Sequence, residues 1–429
     1  MNDKKRIVVI GGGFAGLNFI KKIDKRIYDV TLIDRNNYHS FPPLFYQVAS
    51  SGLEPGSICF PLRREIRKGK AKGTHFQMWM VSAVDMTRKV VMTEDAQVPF
   101  DKLVIAAGTT NNFFGNDELI KRVFTLKSTA QAIRTRNEIL DRLERASNMK
   151  SSEARQKLLS FVVVGGGPTG VEIAGALGEM KRYIVKREYP NIKPEEVKIT
   201  LLEGSGKLLG AMSLKSQLDA KRYLEDLMVD IRLNTLMKDY NNNTVILNDG
   251  GSIYSGVVIW TAGITAVPFE FVGLQPQKGR GGRLLVDSFN RVTGLENVYA
   301  LGDICLMTTK DYPAGHPQLA QVAIQQGRLL AKNLNRNDKK YTPFVYKDMG
   351  SMATVGRNRA VADLSHGSHL SGWVAWMTWM IVHLISLLGM RNKISVLVDW
   401  ITNYFSYGTS IRLLLHPARY PLRWRWGEK

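Results

Sequence analysis

The chain has 429 residues, with 59 Lys and Arg against 38 Asp and Glu and a formal net charge of +21 at pH 7. Its length allows two or three domains, and its charge indicates an anionic partner such as a membrane surface or a phosphorylated ligand. No nucleic-acid-binding motif accompanies the charge, so we expect no nucleic-acid partner. The two cysteines, Cys59 and Cys305, form no Cys-x-x-Cys pair, which argues against a disulfide framework and a dithiol redox centre.

The first predicted unit is a strand, a glycine turn and a helix. The strand Arg6–Ile10 precedes Gly11-Gly12-Gly13-Phe14-Ala15-Gly16, and a helix is predicted over Leu17–Ile23. A second strand, 30–33, ends at Asp34. This order brings the backbone close to a dinucleotide pyrophosphate and directs helix N–H groups at it. Asp34 follows the turn by about 20 residues, where a carboxylate accepts hydrogen bonds from a ribose; the alternative is a solvated charge at a strand end.

The basic start resembles a secretory signal, but the glycine turn interrupts the apolar run and no cleavage site follows. We therefore expect the mature chain to start here, in a reducing compartment. The stretch 37–61 is irregular and rich in aromatic residues. A long irregular segment in a compact domain usually has a function. The sheet is predicted to resume at 103–109, with small residues where the chain passes a ligand, and an amphipathic helix is predicted over Thr129–Ser147.

A second unit repeats the pattern. The strand 161–164 precedes Gly165-Gly166-Gly167-Pro168-Thr169-Gly170, and Glu203 ends the next strand, 38 residues after Gly165. An insertion, 180–196, accounts for the long spacing. The run 259–264 mirrors 105–108, so the units form a repeat. Two such turns in one chain indicate two bound dinucleotides and electron transfer between them.

The chain then returns to the first unit through a strand that ends in Gly302-Asp303. The composition changes after Tyr341. The apolar stretch Trp373–Met390 has the minimal length of a membrane span, and the next segment has an apolar stripe and a polar face. A basic, aromatic tail, 419–426, follows. We favour helices lying in the membrane interface; a true span, or a pair of helices that forms a dimer or packs on another domain, remains open.

These features resemble the two-dinucleotide-binding flavoproteins, and two motifs resemble the type II NADH:quinone oxidoreductases among them. The motifs are Asn37-Tyr38-His39-Ser40-Phe41-Pro42-Pro43-Leu44-Phe45-Tyr46-Gln47-Val48-Ala49 and Ala320-Gln321-Val322-Ala323-Ile324-Gln325-Gln326. The resemblance implies an α/β fold with two Rossmann-like dinucleotide-binding domains and a C-terminal membrane-associating helical region. The expected domains are 1–115 with 290–340 for FAD, 116–289 for NADH, and 341–429 for membrane attachment and dimerisation.

The same resemblance assigns the sites. FAD would be bound by Gly11, Gly13, Phe14, Ala15, Gly16, Asp34, Arg35, His39, Pro43, Ala107, Gly108, Asp303 and Ala320. NADH would be bound by Gly165, Gly167, Pro168, Thr169, Gly170, Glu172, Glu203, Ala262 and Gly263. Gln321 and Gln325 would line the quinone site, although their spacing of one helical turn also suits packing. We expect no metal site.

The implied activity is a non-pumping respiratory NADH dehydrogenase, a homodimer on the cytoplasmic face of the membrane, with a membrane quinone and an anionic lipid surface as partners. Quinone reduction consumes protons, and Glu172 is the candidate donor, unless its carboxylate only interacts with the helix dipole; His39 is the second candidate. The rivals are a sulfide:quinone oxidoreductase, a soluble ferredoxin-type reductase or other flavin-dependent NADH reductase, and a membrane-bound flavin redox sensor.

Overall fold

The structure is a computed structural model that describes residues 4–67, 69–336, 340–365, 367–406 and 412–414. Its first part contains β1 (Lys5–Ile10), α1 (Phe14–Ile20), β2 (Tyr28–Asp34), β3 (Tyr38–Ser40), α2 (Phe45–Ala49), β4 (Cys59–Pro61), α3 (Leu62–Arg67), β5 (Thr74–Met78), β6 (Val81–Asp85), β7 (Val90–Thr93), β8 (Gln97–Pro99), β9 (Lys102–Ile105) and β10 (Thr109–Asn111).

The second part contains α4 (Leu119–Arg122), β11 (Phe124–Thr125), α5 (Thr129–Ser147), α6 (Ser152–Leu158), β12 (Ser160–Val164), α7 (Pro168–Glu179), α8 (Lys186–Glu188), β13 (Lys198–Leu202), α9 (Leu214–Asp226), β14 (Asp230–Arg232), β15 (Met237–Asn241), β16 (Thr244–Leu247), β17 (Ser252–Tyr254), β18 (Val257–Trp260), β19 (Ile264–Ala266) and β20 (Glu270–Val272). A π-helical segment, Met180–Val185, continues α7 into α8.

The last part contains β21 (Leu284–Leu285), β22 (Val298–Ala300), β23 (Cys305–Leu306), α10 (Ala320–Leu334), β24 (Ser351–Thr354), β25 (Ala360–Asp363), β26 (His369–Ser371), α11 (Gly372–Ser386) and α12 (Met390–Ser406). β22 pairs in parallel with β9, so the chain returns to the first sheet after it has built the second.

Two parallel sheets with equivalent strand orders lie at the centre of the fold. The first has the order β22-β9-β1-β2-β5 and the second β11-β18-β12-β13-β14. The middle strand β12 is buried throughout, and β1 is apolar and buried over its last four residues, as expected for parallel strands covered on both faces. In each sheet the order reverses beside the middle strand, and ligands bind α/β sheets at the carboxyl end of that point. Both glycine turns lie there.

A short antiparallel pair connects the two units. β10 follows β9 in the first unit, β19 follows β18 in the second, and the two strands pair with each other. The carboxyl ends of both central sheets are therefore tied to one ribbon. This connection places the two glycine turns around a common cleft.

The C-terminal part packs on both units. β24, β25 and β26 form an antiparallel sheet that α11 covers. Side chains of α12 donate hydrogen bonds to the first unit: Asn392 to the Cys59 carbonyl (2.8 Å), Trp400 to the Gln47 carboxamide oxygen (2.8 Å) and Asn403 to the Gly52 carbonyl (2.9 Å). The partly polar face of α12 thus binds the protein, and its apolar stripe points outward.

Several elements differ from the sequence predictions. The stretch 37–61 contains β3, α2 and β4 rather than irregular chain alone, and the first helix begins at Phe14 instead of Leu17. The antiparallel sheet after residue 350 was missed because its strands have only three or four residues each. Helix α5 has the predicted bounds, Thr129–Ser147, since the Ser128 hydroxyl caps it by accepting from the Gln131 N–H.

The apolar stretch Trp373–Met390 does not form one helix. Helix α11 ends at Ser386 after 15 residues, and α12 begins at Met390. None of the helices in the described residues is both long and apolar enough to cross a bilayer. The basic tail, 419–426, lies outside the described residues.

We expect Gly327→Ala to destabilise the first unit. A Cβ on Gly327 of α10 would collide with the Ala15 carbonyl oxygen of α1, and such overpacking costs about 1–3 kcal/mol. The midpoint of thermal unfolding should fall by several degrees. The matched control is Gly56→Ala, whose new methyl group would meet no atom within 4 Å. Equal midpoints for the two variants would contradict the close contact of α1 and α10.

Candidate functional site

The first glycine turn is shaped for close backbone approach. Gly11 has φ +103°, and a Cβ there would collide with the Ala106 carbonyl oxygen at the end of β9. A Cβ on Gly16 would collide with the Gly11 carbonyl oxygen, so α1 packs directly on the turn. A Cβ on Gly13 would meet no atom within 4 Å. The three glycines thus have the roles of a pyrophosphate-binding turn: tight bend, open approach and helix packing.

The second turn repeats this geometry. Gly165 has φ +107°, and a Cβ there would press on the Ala262 backbone that follows β18. The position of Gly167 is open, and a Cβ on Gly170 would collide with the Gly165 carbonyl oxygen. Pro168 occupies the first turn of α7, where a missing N–H costs nothing. Both turns therefore fit the pyrophosphate of a dinucleotide.

A buried or half-buried carboxylate closes each turn. Asp34 accepts hydrogen bonds from the Gly12 N–H (2.6 Å) and from the N–H two residues after itself (2.7 Å). Glu203 accepts from the Gly166 N–H (2.6 Å) and likewise from the N–H two residues on (2.7 Å). Burial raises the pKa of Asp34 although both N–H groups favour its charged form. Each carboxylate keeps lone pairs for ribose hydroxyls. The two sites are therefore equivalent, although Glu203 follows its glycine turn at a longer sequence distance than Asp34 does.

His39 belongs to the first turn rather than to a proton path. Its ring is buried, and Nδ1 lies 2.9 Å from the Gly12 carbonyl oxygen. The Phe14 ring packs edge-on against the His39 ring, with 5.2 Å between the ring centroids. Burial lowers the pKa of His39, so the ring is neutral at pH 7 and Nδ1 donates to the carbonyl. This geometry gives His39 a positioning role. Of the other predicted residues here, Arg35 is exposed and Pro43 is half-buried.

A cationic side chain that sequence reasoning missed lies beside Asp303. The Lys127 ammonium donates to the Thr109 hydroxyl (2.9 Å). Burial raises the pKa of Asp303, and the charges of Lys127 and Arg283 oppose that rise. The Gly302 N–H donates to the buried Gln326 carboxamide (2.7 Å), which holds the turn that presents Asp303. Lys127 directly precedes the cap of α5, and no sequence signal marked it.

The remaining predicted residues lie at strand ends or at helix starts of the two units. Gly108 has φ +69° with open space at its Cβ position, and it joins β9 to β10. Ala107 precedes it and is half-buried. Ala320 is the first residue of α10, Thr169 is exposed at the start of α7, and Gly263 is exposed with φ +83°.

Glu172 lies on α7 and is buried. It accepts a hydrogen bond from the Thr354 N–H, but desolvation dominates and raises its pKa well above the usual range. Burial therefore favours the protonated, neutral form of this carboxyl group. The alternative of a carboxylate held by the helix dipole would need a charged group, which this site disfavours.

A chain of hydrogen bonds runs outward from the neighbourhood of Glu172. The Thr354 hydroxyl lies 2.8 Å from the Tyr46 hydroxyl, and the Gln47 amide donates to that hydroxyl at 2.9 Å. The Gln47 carboxamide oxygen accepts from the Trp400 indole of α12. Tyr46 and Gln47 belong to the aromatic motif 37–49, so this motif connects the neighbourhood of Glu172 to the C-terminal helices.

A cavity of about 160 Å³ adjoins this chain. Its walls come from α2, α7, the turn after β24, α11 and α12, and they include Tyr46, Gln47, Glu179, Thr354, Arg357, Trp376, Trp379, Trp400 and Tyr404. An apolar cavity of about 150 Å³ accommodates a benzene-sized ring. The cavity therefore has room for a single aromatic or quinonoid ring beside hydrogen-bonding groups.

Gln321 and Gln325 are both engaged with backbone. The Gln321 amide donates to the Gly350 carbonyl (3.0 Å) and its oxygen accepts from the Met349 N–H (3.0 Å). Gln325 makes the same pair of bonds with Lys347 (2.8 and 3.0 Å). The two side chains thus hold the segment that leads into β24. Their role at a quinone site stays a prediction.

Family comparisons match nearly the whole chain. The family described as pyridine nucleotide-disulphide oxidoreductase matches residues 5–327, and the NDH2 C-terminal domain matches residues 349–407. The type II NADH:quinone oxidoreductase Ndh of Mycobacterium tuberculosis is 33% identical over 94% of this chain and 89% of its own length. The internal alternative NAD(P)H-ubiquinone oxidoreductase A1 of Solanum tuberosum is 31% identical over 94% of this chain and 86% of its own length.

Solved structures show the same fold. NDH2 from Plasmodium falciparum in complex with NADH superposes with a TM-score of 0.88 at 23% identity and covers 96% of this chain and 100% of that chain. The sulfide:quinone oxidoreductase of Aquifex aeolicus gives a lower TM-score, 0.68 at 18% identity, with 96% of each chain covered.

Proposed function

Since this chain belongs to the type II NADH:quinone oxidoreductases, we propose that its first unit holds FAD and its second holds NADH across one cleft, with the quinone in the cavity beside α11 and α12. The family, the fold class and the cofactor pair expected from the sequence are confirmed. The protein transfers electrons from NADH to a quinone. The observation that carries the proposed arrangement is the pair of equivalent sites, each with an open glycine and a carboxylate that closes the turn.

The proposed division of the chain is 1–115 with 290–340 for FAD, 116–289 for NADH, and 341–429 for attachment. The sheets depart from it at one boundary, since β20 and β21 pair with β6 and β23 and so belong with the first unit. In the first unit, the Gly13 backbone would face the pyrophosphate, Asp34 the adenosine ribose and Asp303 the ribityl chain. In the second, Gly167 and Glu203 would have the equivalent roles toward NADH. These assignments rest on open space at the glycines and on the carboxylates' free lone pairs.

The reaction requires the protein to align the two cofactor rings more than it requires acid or base groups. FAD held by the first unit would supply the hydride acceptor, and hydride transfer from nicotinamide needs only close, oriented rings and little water. The buried residues around the turns exclude water, and His39 and Gln326 fix the loops that would face the cofactor. Glu172, whose pKa is raised by burial, would hold a proton beside Thr354 at the inner end of the hydrogen-bond chain.

The cysteines argue against the sulfide:quinone alternative, whose chemistry needs reactive thiols beside the flavin. Burial raises the pKa of Cys305 to about 12, and burial also raises the pKa of Cys59. Both groups are therefore thiols at pH 7, and the thiolate is the nucleophilic form. They also lie apart, since Cys59 contacts Thr129 (3.2 Å) and Cys305 packs near Gln326 (3.5 Å).

We propose that α11 and α12 attach the protein to an anionic lipid surface. The outward stripe of α12 comprises Ile394, Leu397, Val398, Ile401 and Phe405, and Phe405 is 78% exposed. Exposed apolar residues of α11 extend the patch, and Arg391 at the start of α12 is exposed beside it. An amphipathic surface of this kind binds the interface. We further propose that the protein is a homodimer on the cytoplasmic face of the membrane, where isolated cysteines stay reduced.

Anaerobic titration tests the central function. Adding NADH to the purified, FAD-loaded protein should bleach the flavin absorbance, and adding a quinone should restore it, because electrons then leave to the acceptor. An unbleached spectrum, or a reduced flavin that quinone does not reoxidise, would contradict the proposal.

Glu203→Gln should reduce the preference for NADH over NADPH about tenfold or more, measured as the ratio of kcat/KM values. The amide oxygen can still accept from the Gly166 N–H, but the charge that repels a 2′-phosphate is gone. Asp34→Asn is the matched control, since the same change in the first site should weaken FAD retention and leave the ratio alone. A ratio unchanged in the Glu203 variant would remove this role.

The double substitution Ile401→Ser with Phe405→Ser should weaken binding to anionic vesicles about tenfold, because two exposed apolar side chains no longer enter the lipid. Co-sedimentation with vesicles measures the effect. Ile246→Ser, on an exposed strand of the second unit, is the control. Unchanged sedimentation together with loss of a dimer in light scattering would assign the stripe to the dimer interface instead.

A further inference from the structure

Glu179 is a second carboxyl group on α7, and it lines the cavity. It follows Glu172 by seven residues, two helical turns along the same face. Its Oε1 accepts a hydrogen bond from the Arg357 N–H at 2.5 Å. Gly356, with φ +81°, lets this turn approach the carboxyl group, since a Cβ there would lie 2.9 Å from its carbon. The cavity thus has one carboxylic acid in its wall and another behind Thr354.

The groups around Glu179 make its charge depend on pH near neutrality. The titratable and charged groups that face it are Glu172 on the same helix, Tyr46 on α2, Tyr183 on the π-helical segment, Arg357 and Arg359 around the turn after β24, and Tyr404 on α12. Burial raises the pKa of Glu179 to about 7, against the opposing hydrogen bond and charge of Arg357 and the charge of Arg359. The group therefore gains and loses a proton near neutral pH.

The positions of the two acids differ in one respect that matters for turnover. Glu172 lies behind Thr354 and Tyr46 and is not among the residues that line the cavity. Glu179 faces the cavity directly, together with the polar side chains of Gln47 and Asn403. It can therefore exchange protons with water that enters the cavity.

We propose that Glu179 is the acid that delivers a solvent proton to an oxygen of the quinone bound in this cavity. This inference rests on the proposed function, which places the quinone there. The overall reaction is NADH + H⁺ + quinone → NAD⁺ + quinol. Two electrons and one hydrogen derive from NADH. The second hydrogen is the proton of the Glu179 carboxylic acid: its O–H bond breaks, an O–H bond forms on the quinone, and the resulting carboxylate takes a proton from water.

The competing explanation is that Glu179 only caps the turn at Arg357. Glu179→Gln separates the two roles, because the amide oxygen still accepts from the Arg357 N–H while the side chain can no longer give up a carboxylic proton. Glu179→Asp keeps the acid on a shorter side chain. Glu225→Gln, an exposed acid at the end of α9, is the surface control.

The experiment measures the two half-reactions separately by stopped flow, on the full-length, FAD-loaded protein. Reduction by NADH should be equal in all variants, and so should turnover with ferricyanide, which takes electrons without protons. Reoxidation by a short-chain quinone at pH 6 should be about a hundredfold slower in Glu179→Gln, a usual contribution of general acid catalysis. Glu179→Asp should recover part of the rate, and Glu225→Gln should match the wild type.

The pH profile gives an independent readout. A proton donor acts in its protonated form, so wild-type reoxidation should decline as the pH rises through about 7. That decline should be absent in Glu179→Gln. A wild-type profile flat from pH 6 to 8.5 would overturn the proposal even if the variants failed to fold, and so would a Glu179→Gln rate equal to the wild type.

A cavity-filling variant distinguishes failure of this inference from failure of the proposed site. Ala176 lines the same cavity one turn before Glu179, so Ala176→Phe should block quinone reoxidation while NADH still reduces the flavin. If Ala176→Phe blocks reoxidation and Glu179→Gln does not slow it, only the role of Glu179 is wrong. If neither variant affects reoxidation, the quinone binds elsewhere and both proposals fail.

Discussion

The close approach of backbone to backbone at the two glycine turns is the constraint on which the rest of this structure depends. Gly16 and Gly170 let a helix rest on the carbonyl oxygen of the residue that begins each turn, and any side chain there would push the helix away. Because the helix stays close, its first N–H groups and the open Gly13 or Gly167 point into the cleft. The carboxylates of Asp34 and Glu203 then fix the middle glycine of each turn. In the proposed arrangement, this geometry in both units would let the hydride donor and acceptor meet.

Sequence reasoning recovered the parts of the fold that repeat a short, local pattern. The two turns, the strand-end carboxylates and α5 all have signals within a few residues, and β22 was placed by its Gly-Asp ending. The pairing of β10 with β19 had no such signal, because it joins residues more than 150 positions apart. The sheet of β24, β25 and β26 was missed for a similar reason: its strands are too short for a period of two to be distinguished from loop.

The candidate site shows the same division. Glu172 is predictable because it stands two residues after the second glycine turn, whereas only tertiary packing brings Lys127 near Asp303. Gln321 and Gln325 were selected by resemblance, and their side chains bind the backbone of 347–350. Glu179 could have been noticed, since seven residues separate it from Glu172 on a predicted helix. Its partner Arg357 lies 178 residues away, so only the folded chain reveals why that carboxyl group titrates near neutrality.

The C-terminal helices explain how one surface can serve both lipid and substrate. Helix α12 directs polar and aromatic side chains toward the protein, where Asn392, Trp400 and Asn403 donate hydrogen bonds. Its apolar stripe therefore faces outward. Trp400 therefore contacts Gln47 and the cavity from a helix whose other face is exposed and apolar. A quinone dissolved in lipid would have to pass only one helix layer to reach the ring-sized cavity. Of the two acids on α7, Glu179 lies in the cavity wall, so electrons would arrive from the protein side and the quinone from the lipid side.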